Sequence, residues 1–206
     1  MDITMPTKRD QIISRIHRWG PGAAFTPKDF LDRAPRGTVD VTLAALLADG
    51  TIRKLARGLY DYPRYSELLE TVESPDLDEV AHALARRYRW TIIPAGALAA
   101  HLLGLSTQVP ARAVYISDGP TKKVTLGRQT IQFKNARPKE TGVASVRSGT
   151  IIQALRHLGR RRVDRKVIDK LRRTLNAKDK RDLLRDARQS ADWIHVAAQQ
   201  IAGDVV

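Results

Sequence analysis

Two groups of residues have types and spacing that can do chemistry, and the chemistry is contact with a polyanion. Arg53, Lys54 and Arg57 flank a turn closed by Gly58 in the run Thr51-Ile52-Arg53-Lys54-Leu55-Ala56-Arg57-Gly58-Leu59-Tyr60-Asp61-Tyr62. Cations on a tight turn suit phosphate or a minor groove, and a glycine at the tip lets backbone approach closely. The same residues also fit a solvated basic hairpin. The second group is Arg36, Thr38, Asp40, Val41 and Thr42, at the start of a helical stretch. Arg36 can read guanine or clamp a phosphate, and Thr38 and Thr42 can bond phosphate or pack on a thymine methyl. Asp40 can accept from cytosine N4, or it can simply favour the positive end of the helix dipole. Lys8 and Arg9, at the start of an earlier helix, are open to either phosphate contact or plain solvation.

Catalytic chemistry finds no comparable grouping. The chain has no cysteine, which excludes thiolate metal sites and a cysteine nucleophile. His17, His82, His101, His157 and His195 are scattered, with no close pair on one helical face. There is no Gly-rich phosphate loop of the Walker type. Asp164-Arg165-Lys166 looks nuclease-like only outside its helical setting, and Ser117-Asp118-Gly119 lacks the second carboxylate of a metal-dependent nucleotidyltransferase and reads as a hairpin turn. No catalytic residue, metal or cofactor is expected.

The elements that must position these residues follow from periodicity. Ile12, Ile13, Ile16 and Trp19 recur at a helical period, predicting a helix over 7–18 that Gly20-Pro21-Gly22 stops. A short helix follows, with Thr26 as N-cap, Pro27 at its first position, Asp29 in the first turn and Phe30 and Leu31 as apolar contacts. After Ala34-Pro35-Arg36-Gly37, Val39, Leu43, Leu46 and Leu47 predict a third helix over 38–48, closed by Asp49-Gly50. Two β-prone runs then enclose Ala56-Arg57-Gly58, although Ile52 and Leu55, three apart, break strict alternation. Helix, helix, helix, hairpin is the order of a winged helix-turn-helix, in which the second motif helix enters the major groove.

Residues 63–75 read as a connector. Beyond it come a helix on Leu77, Val80, Ala81, Leu84 and Tyr88, a strand at 90–93, a short helix at 94–103, strands at 111–117, 123–126 and 129–133, and helices to the end. The last helices show stripes at Ile151/Ile152/Leu155/Leu158, Val167/Ile168/Leu171/Leu175, Leu183/Leu184/Ala187 and Trp193/Ile194/Ala197/Ile201. The expected class is α+β: a winged helix-turn-helix over 1–65, then a mixed α+β domain over 66–206 with a small sheet and C-terminal helices.

Net charge is +14 and the sequence pI about 10.5, a balance that favours nucleic acid. Half the excess, +7, lies in residues 150–206, outside the expected winged helix. It fits either solvated helix faces or a second nucleic-acid surface, with Arg160, Arg161, Arg162 and Arg165 as its densest part. No apolar run approaches the roughly 20 residues of a membrane span, and the start lacks the apolar core of a signal peptide. A cytoplasmic protein is expected.

The run Gly50-x-Ile52-Arg53-x-Leu55-x-Arg57-Gly58-Leu59-Tyr60-x-Tyr62-Pro63 resembles the winged helix of AbiEi-type antitoxins of bacterial abortive-infection systems. Ile93-Pro94-Ala95-Gly96, Leu103-Gly104-Leu105-Ser106-Thr107-Gln108-Val109-Pro110 and Val114-Tyr115-Ile116-Ser117-Asp118-Gly119 are similar to the antitoxin-side domain of short AbiEi-like relatives. The resemblance implies a transcriptional regulator that binds double-stranded DNA at its own operator, expected as inverted repeats. It also implies an antitoxin whose second domain opposes a nucleotidyltransferase-type toxin, directly or indirectly. Read apart from the resemblance, Ser106, Thr107 and Gln108 are three polar side chains in a row that fit either a capped loop or a partner-recognition loop; with the resemblance, Arg160, Arg161, Arg162 and Arg165 could face a partner instead of DNA. A stand-alone winged-helix regulator with a ligand- or partner-sensing second domain is the alternative.

Overall fold

A computed structural model describes residues 6–203, and the chain divides into two compact units, the first ending at Trp90 and the second beginning at Thr91. Both helices and strands contribute to each unit, so the class is α+β. Among the described residues no helix is long and apolar enough to cross a membrane.

In the first unit, α1 (Lys8–Trp19) starts at Thr7, whose Oγ1 accepts from the Asp10 N–H while the Asp10 carboxylate accepts from the Thr7 N–H at 2.9 Å. This reciprocal cap satisfies two donors that a helix start leaves open. Gly20, at φ +83°, ends the helix in a conformation that a side chain would strain. β1 (Ala24–Phe25) leads into a tight 3-10 turn (Pro27–Phe30), where Asp29 Oδ2 accepts from the Thr26 N–H at 2.7 Å. α2 (Arg36–Ala48) is followed by β2 (Arg53–Ala56) and β3 (Leu59–Asp61). The three strands form an antiparallel sheet in the order β1-β3-β2.

Ile12, Ile16, Phe25, Phe30, Val39, Leu43, Leu46 and Ile52 make one core. Phe25 and Phe30 meet edge-on at 5.5 Å, a favoured aromatic geometry. Leu31, expected as an apolar contact of the short helix, is exposed instead: it follows the 3-10 turn, whose inward positions are taken by Pro27 and Phe30. The broken alternation at Ile52 and Leu55 has a physical cause. Register shifts between Lys54 and Ala56, so Leu55 is the extra residue of a bulge.

The expected connector at 63–75 contains a two-stranded hairpin, β4 (Tyr65–Ser66) with β5 (Thr71–Val72). Its tip carries Leu68, 92% exposed, and Leu69. α3 (Leu77–Tyr88) then returns to the first unit, capped at its start by Asp76. The boundary expected after residue 65 therefore moves to Trp90. Arg86 Nε on α3 donates to Asp29 Oδ1 at 2.8 Å and Arg86 Nη2 to the Ala24 carbonyl at 3.0 Å. Val80, Ala81 and Leu84 on the same helix are buried.

In the second unit the order is β6 (Ile92–Pro94), α4 (Gly96–Leu102), β7 (Arg112–Ser117), β8 (Lys122–Leu126), β9 (Gln129–Asn135), α5 (Pro138–Thr141) and α6 (Val146–Leu158). A second 3-10 turn (Arg160–Arg162) precedes α7 (Arg165–Thr174), α8 (Ala177–Ala187) and α9 (Asp192–Ala202). The sheet order is β6-β7-β9-β8; β7 and β9 run parallel and the outer pairs antiparallel. Ile151, Leu155, Leu171, Leu183, Ile194 and Ile201 form the helical core.

One polar clip crosses that core. Asp186, on α8, accepts from the Ala144 N–H at 2.8 Å and from the hydroxyl of Ser148, which is fully buried. Removing the carboxylate leaves the Ala144 N–H without its acceptor, while the Ser148 hydroxyl keeps the Ser145 carbonyl at 2.8 Å, and an unsatisfied buried donor costs about 1–3 kcal/mol. Asp186→Ala should therefore destabilise the chain by roughly that amount in chemical denaturation, with Asp186→Asn, which keeps an acceptor, losing less. Equal stability of wild type and Asp186→Ala would rule the clip out.

Candidate nucleic-acid interface

α2 presents one solvent face and one core face. Val39, Leu43 and Leu46 point inward; Arg36, Gly37, Asp40, Val41 and Ala44 point outward. The 3.6 period explains the division, since 36, 40 and 44 lie one above another and 37 and 41 lie beside them. Val41 is 72% exposed, an unusual place for a β-branched apolar side chain on a globular surface. Arg36 and Asp40 are both exposed and paired with each other, Arg36 Nε lying 2.8 and 2.9 Å from the two carboxylate oxygens. Thr38 is half-buried.

Thr42 does not belong to this face. It is 3% exposed, because position 42 sits three residues after Val39 and four before Leu46, on the inward side. The same helical arithmetic applied to the sequence shows this.

The start of α2 is held by α1. Arg15 grips Asp32 with both terminal nitrogens, each at 2.7 Å, and donates to the Asp29 carbonyl at 2.5 Å. Hydrogen bonding from Arg15 holds the Asp32 carboxyl below its ordinary value. Three residues after this grip, Pro35 precedes the first residue of α2. At the other end, hydrogen bonding from Thr51 keeps the Asp49 carboxyl below its ordinary value, with a smaller contribution from the Arg9 charge. Lys8 and Arg9 are exposed.

The β2–β3 hairpin sorts its three cations into two roles. Arg53 faces Asp61 across the strands and binds it with Nη2 at 2.6 Å and Nε at 3.1 Å. Asp61 is 1% exposed, and the pairing raises the Arg53 pKa above its ordinary value. Arg53 also donates to the Glu73 carbonyl at 3.1 Å. It is a structural cation, not the free ligand expected from the sequence. Lys54 and Arg57 are exposed, and neither forms an ion pair among the described residues.

Arg87 was invisible as a neighbour of this hairpin. From α3 its Nη1 donates to the carbonyls of Arg57, at 3.2 Å, and Gly58, at 3.4 Å. Lys28 Nζ donates to the Arg87 carbonyl at 3.0 Å. The only sequence signal is a run of Arg86, Arg87 and Arg89 at the end of an amphipathic helix, with nothing to say what it touches.

In the second unit, Leu103 and Leu105 pack on the helical core and the Gly104 carbonyl accepts from Lys170 Nζ. Ser106 is half-buried and its Oγ accepts from the Gln108 N–H at 3.2 Å, while Thr107 and Gln108 are exposed. Asp164 caps α7 by accepting from the Val167 N–H at 3.0 Å, which explains Asp164-Arg165-Lys166 as a helix start. Ser117 Oγ accepts from the Gly119 N–H at 3.0 Å, a turn-forming role, and Asp118 Oδ1 accepts from the Thr91 N–H at 2.8 Å, tying the turn to the residue ahead of β6. No group of three or more metal-ligating side chains occurs among the described residues.

The two hairpin arginines predict opposite phenotypes. Asp61→Ala strands the Arg53 cation in a partly buried site, and breaking a buried pair costs roughly 3–5 kcal/mol. Thermal unfolding should show a large loss for Asp61→Ala and almost none for Arg57→Ala. A similar loss for both would contradict the division.

Comparison with solved structures finds the crystal structure of the RV2827C protein from Mycobacterium tuberculosis, 16% identical, over 98% of this chain and 78% of that one, with a TM-score of 0.45. No curated protein matches the chain. A family of unknown function, DUF6088, matches residues 11–183. With most of its length inside that match, the chain belongs to DUF6088.

Proposed function

We propose that the first unit is a winged helix-turn-helix that binds double-stranded DNA. In this reading α2 enters the major groove and the β2–β3 hairpin is the wing. The carrying observation is the hairpin tip: Lys54 and Arg57 stay exposed and unpaired while Arg53 between the strands is consumed by Asp61. A protein that needed only a solvated hairpin has no reason to fasten the backbone of the turn with Arg87. Val41, exposed on the outward face of α2, suits contact with a thymine methyl. Arg36 reaches DNA by exchanging its Asp40 partner for a guanine edge or a phosphate, with Asp40 then free to accept from a cytosine amine.

The wider proposal is a non-enzymatic regulator that represses its own operon and acts as an antitoxin against a nucleotidyltransferase-type toxin. The antitoxin part is supported by the AbiEi-like resemblance of the wing and of Leu103–Pro110, and by no contact in the fold. A cytoplasmic setting goes with this reading.

The test is a set of binding isotherms of the full chain on DNA from its own promoter and on unrelated duplex, across salt concentrations. Arg57→Ala should weaken all sequences about equally and shallow the salt slope by about one unit, as loss of one phosphate contact does. Arg36→Ala should cost roughly 1–3 kcal/mol on the promoter site and less on unrelated duplex. Thr42→Ser, on the inward face, should leave sequence preference unchanged. Wild-type binding by both arginine variants would overturn the reading.

A further inference from the structure

The second unit holds more positive charge than the first, and six of its cations are engaged within the fold. Arg156 pairs with Glu140, Lys178 with Asp182, and Arg185 with Asp182 and Asp186. Lys170 and Arg172 are spent on carbonyls, Gly104 for one and Gln200 for the other. Arg147 pairs with Asp179 and donates to the Thr174 carbonyl. Arg147, Arg156, Lys170 and Arg172 tie one element to another, while Lys178 and Arg185 pair within α8.

The turn between α6 and α7 is different. Gly159, at φ +74°, breaks α6 and directs the chain outward; the next three residues are Arg160, Arg161 and Arg162 on one 3-10 turn, all exposed. None of the three forms an ion pair or side-chain hydrogen bond among the described residues. The nearest acid in sequence, Asp164, is engaged as the cap of α7. Arg165, 95% exposed, lies 3.7 Å from Asp169, a contact too long and too solvated to hold it. Lys166 is exposed as well. Val163, half-buried against the helical core, anchors the turn from below. Asp192 is the one carboxylate lining the groove beside Arg160.

We infer that this turn is a second nucleic-acid contact, one that grips the phosphates of a strand without reading its sequence. Three adjacent guanidiniums repel one another in the free protein, and three residues per turn fan them apart. An anion with repeated charges relieves that repulsion at several points together, and guanidinium matches phosphate in two-point hydrogen bonding. The contact belongs to the second unit and does not depend on the winged-helix reading of the first.

The experiment uses the full chain and labelled oligomers of equal length: unrelated duplex DNA, single-stranded DNA and single-stranded RNA. Vesicles rich in anionic lipid are a fourth arm. Wild type is compared with Arg160→Ala/Arg161→Ala/Arg162→Ala, with the same three residues changed to Lys, and with Arg57→Ala. For at least one nucleic acid the triple alanine variant should lose about tenfold or more in affinity near 0.1 M salt and about two units of salt slope. The triple lysine variant should recover most of both, which a folding defect would not allow. The loss should persist when Arg57→Ala is already present. Unchanged affinity and slope on all three nucleic acids would overturn the inference, as would a loss confined to vesicles. Failure of Arg57→Ala alone would count against the wing and leave this contact standing.

Discussion

A carboxylate with 1% exposure cannot remain charged without a partner, and Asp61 imposes that condition on the whole first unit. Its partner must come from the facing strand, which sets Arg53 opposite Asp61 and so fixes the register of β2 on β3. With that register set, the extra residue must be absorbed before the turn, and the bulge at Leu55 absorbs it. The turn then falls at Arg57-Gly58, with Lys54 and Arg57 on the outside. Arg53 reaches one step further, to the Glu73 carbonyl, and draws the segment after the hairpin back toward the sheet. From there α3 can return and place Arg86 on Asp29 and Arg87 on the tip.

The same division between spent and free cations runs through both units. Arg15, Arg53 and Arg86 in the first, and Arg147, Arg156 and Lys178 in the second, are each bound to a carboxylate. The total of 36 lysines and arginines therefore overstates the groups that can meet a partner, and counts of basic residues in sequence windows mislead in a definite direction. They assign functional weight to arginines whose work is architectural. Arg53 is the clearest case, since it stands beside Lys54 in the sequence and differs from it only in what lies across the strand.

Legibility followed the length of the repeat. The helices with three or more apolar turns, α1, α2, α3 and α6 to α9, could be read because a period of 3.6 accumulates over ten residues or more. β1 and the β4–β5 hairpin could not, because a two-residue strand has no alternation to detect. At the candidate interface, the outward placement of Arg36, Asp40, Val41, Lys54 and Arg57 was legible. Thr42 was misplaced although its helical angle was available. The Arg53–Asp61 pair was hidden by the bulge, which shifts the count across the turn. Arg86 and Arg87 were hidden by distance, since nothing local links residue 87 to residue 57. The boundary moved to Trp90 for the same reason: α3 owes its place to contacts made more than fifty residues away.

The tip of a short hairpin is ordinarily the part of a sheet that frays first. Here one guanidinium, Arg87, fastens two successive carbonyls of the turn and lies over the Tyr88 ring at 5.5 Å, while Lys28 holds its own backbone. The backbone at Arg57 is thus ordered before anything arrives, and only its side chain keeps rotational freedom. Ordering a loop costs about 1–2 kcal/mol of entropy per residue, and that cost has been met within the fold. DNA docking at this tip, as proposed, would meet a backbone already held by Arg87. Association there is not gated by loop closure, and partners will differ mainly in how slowly they leave.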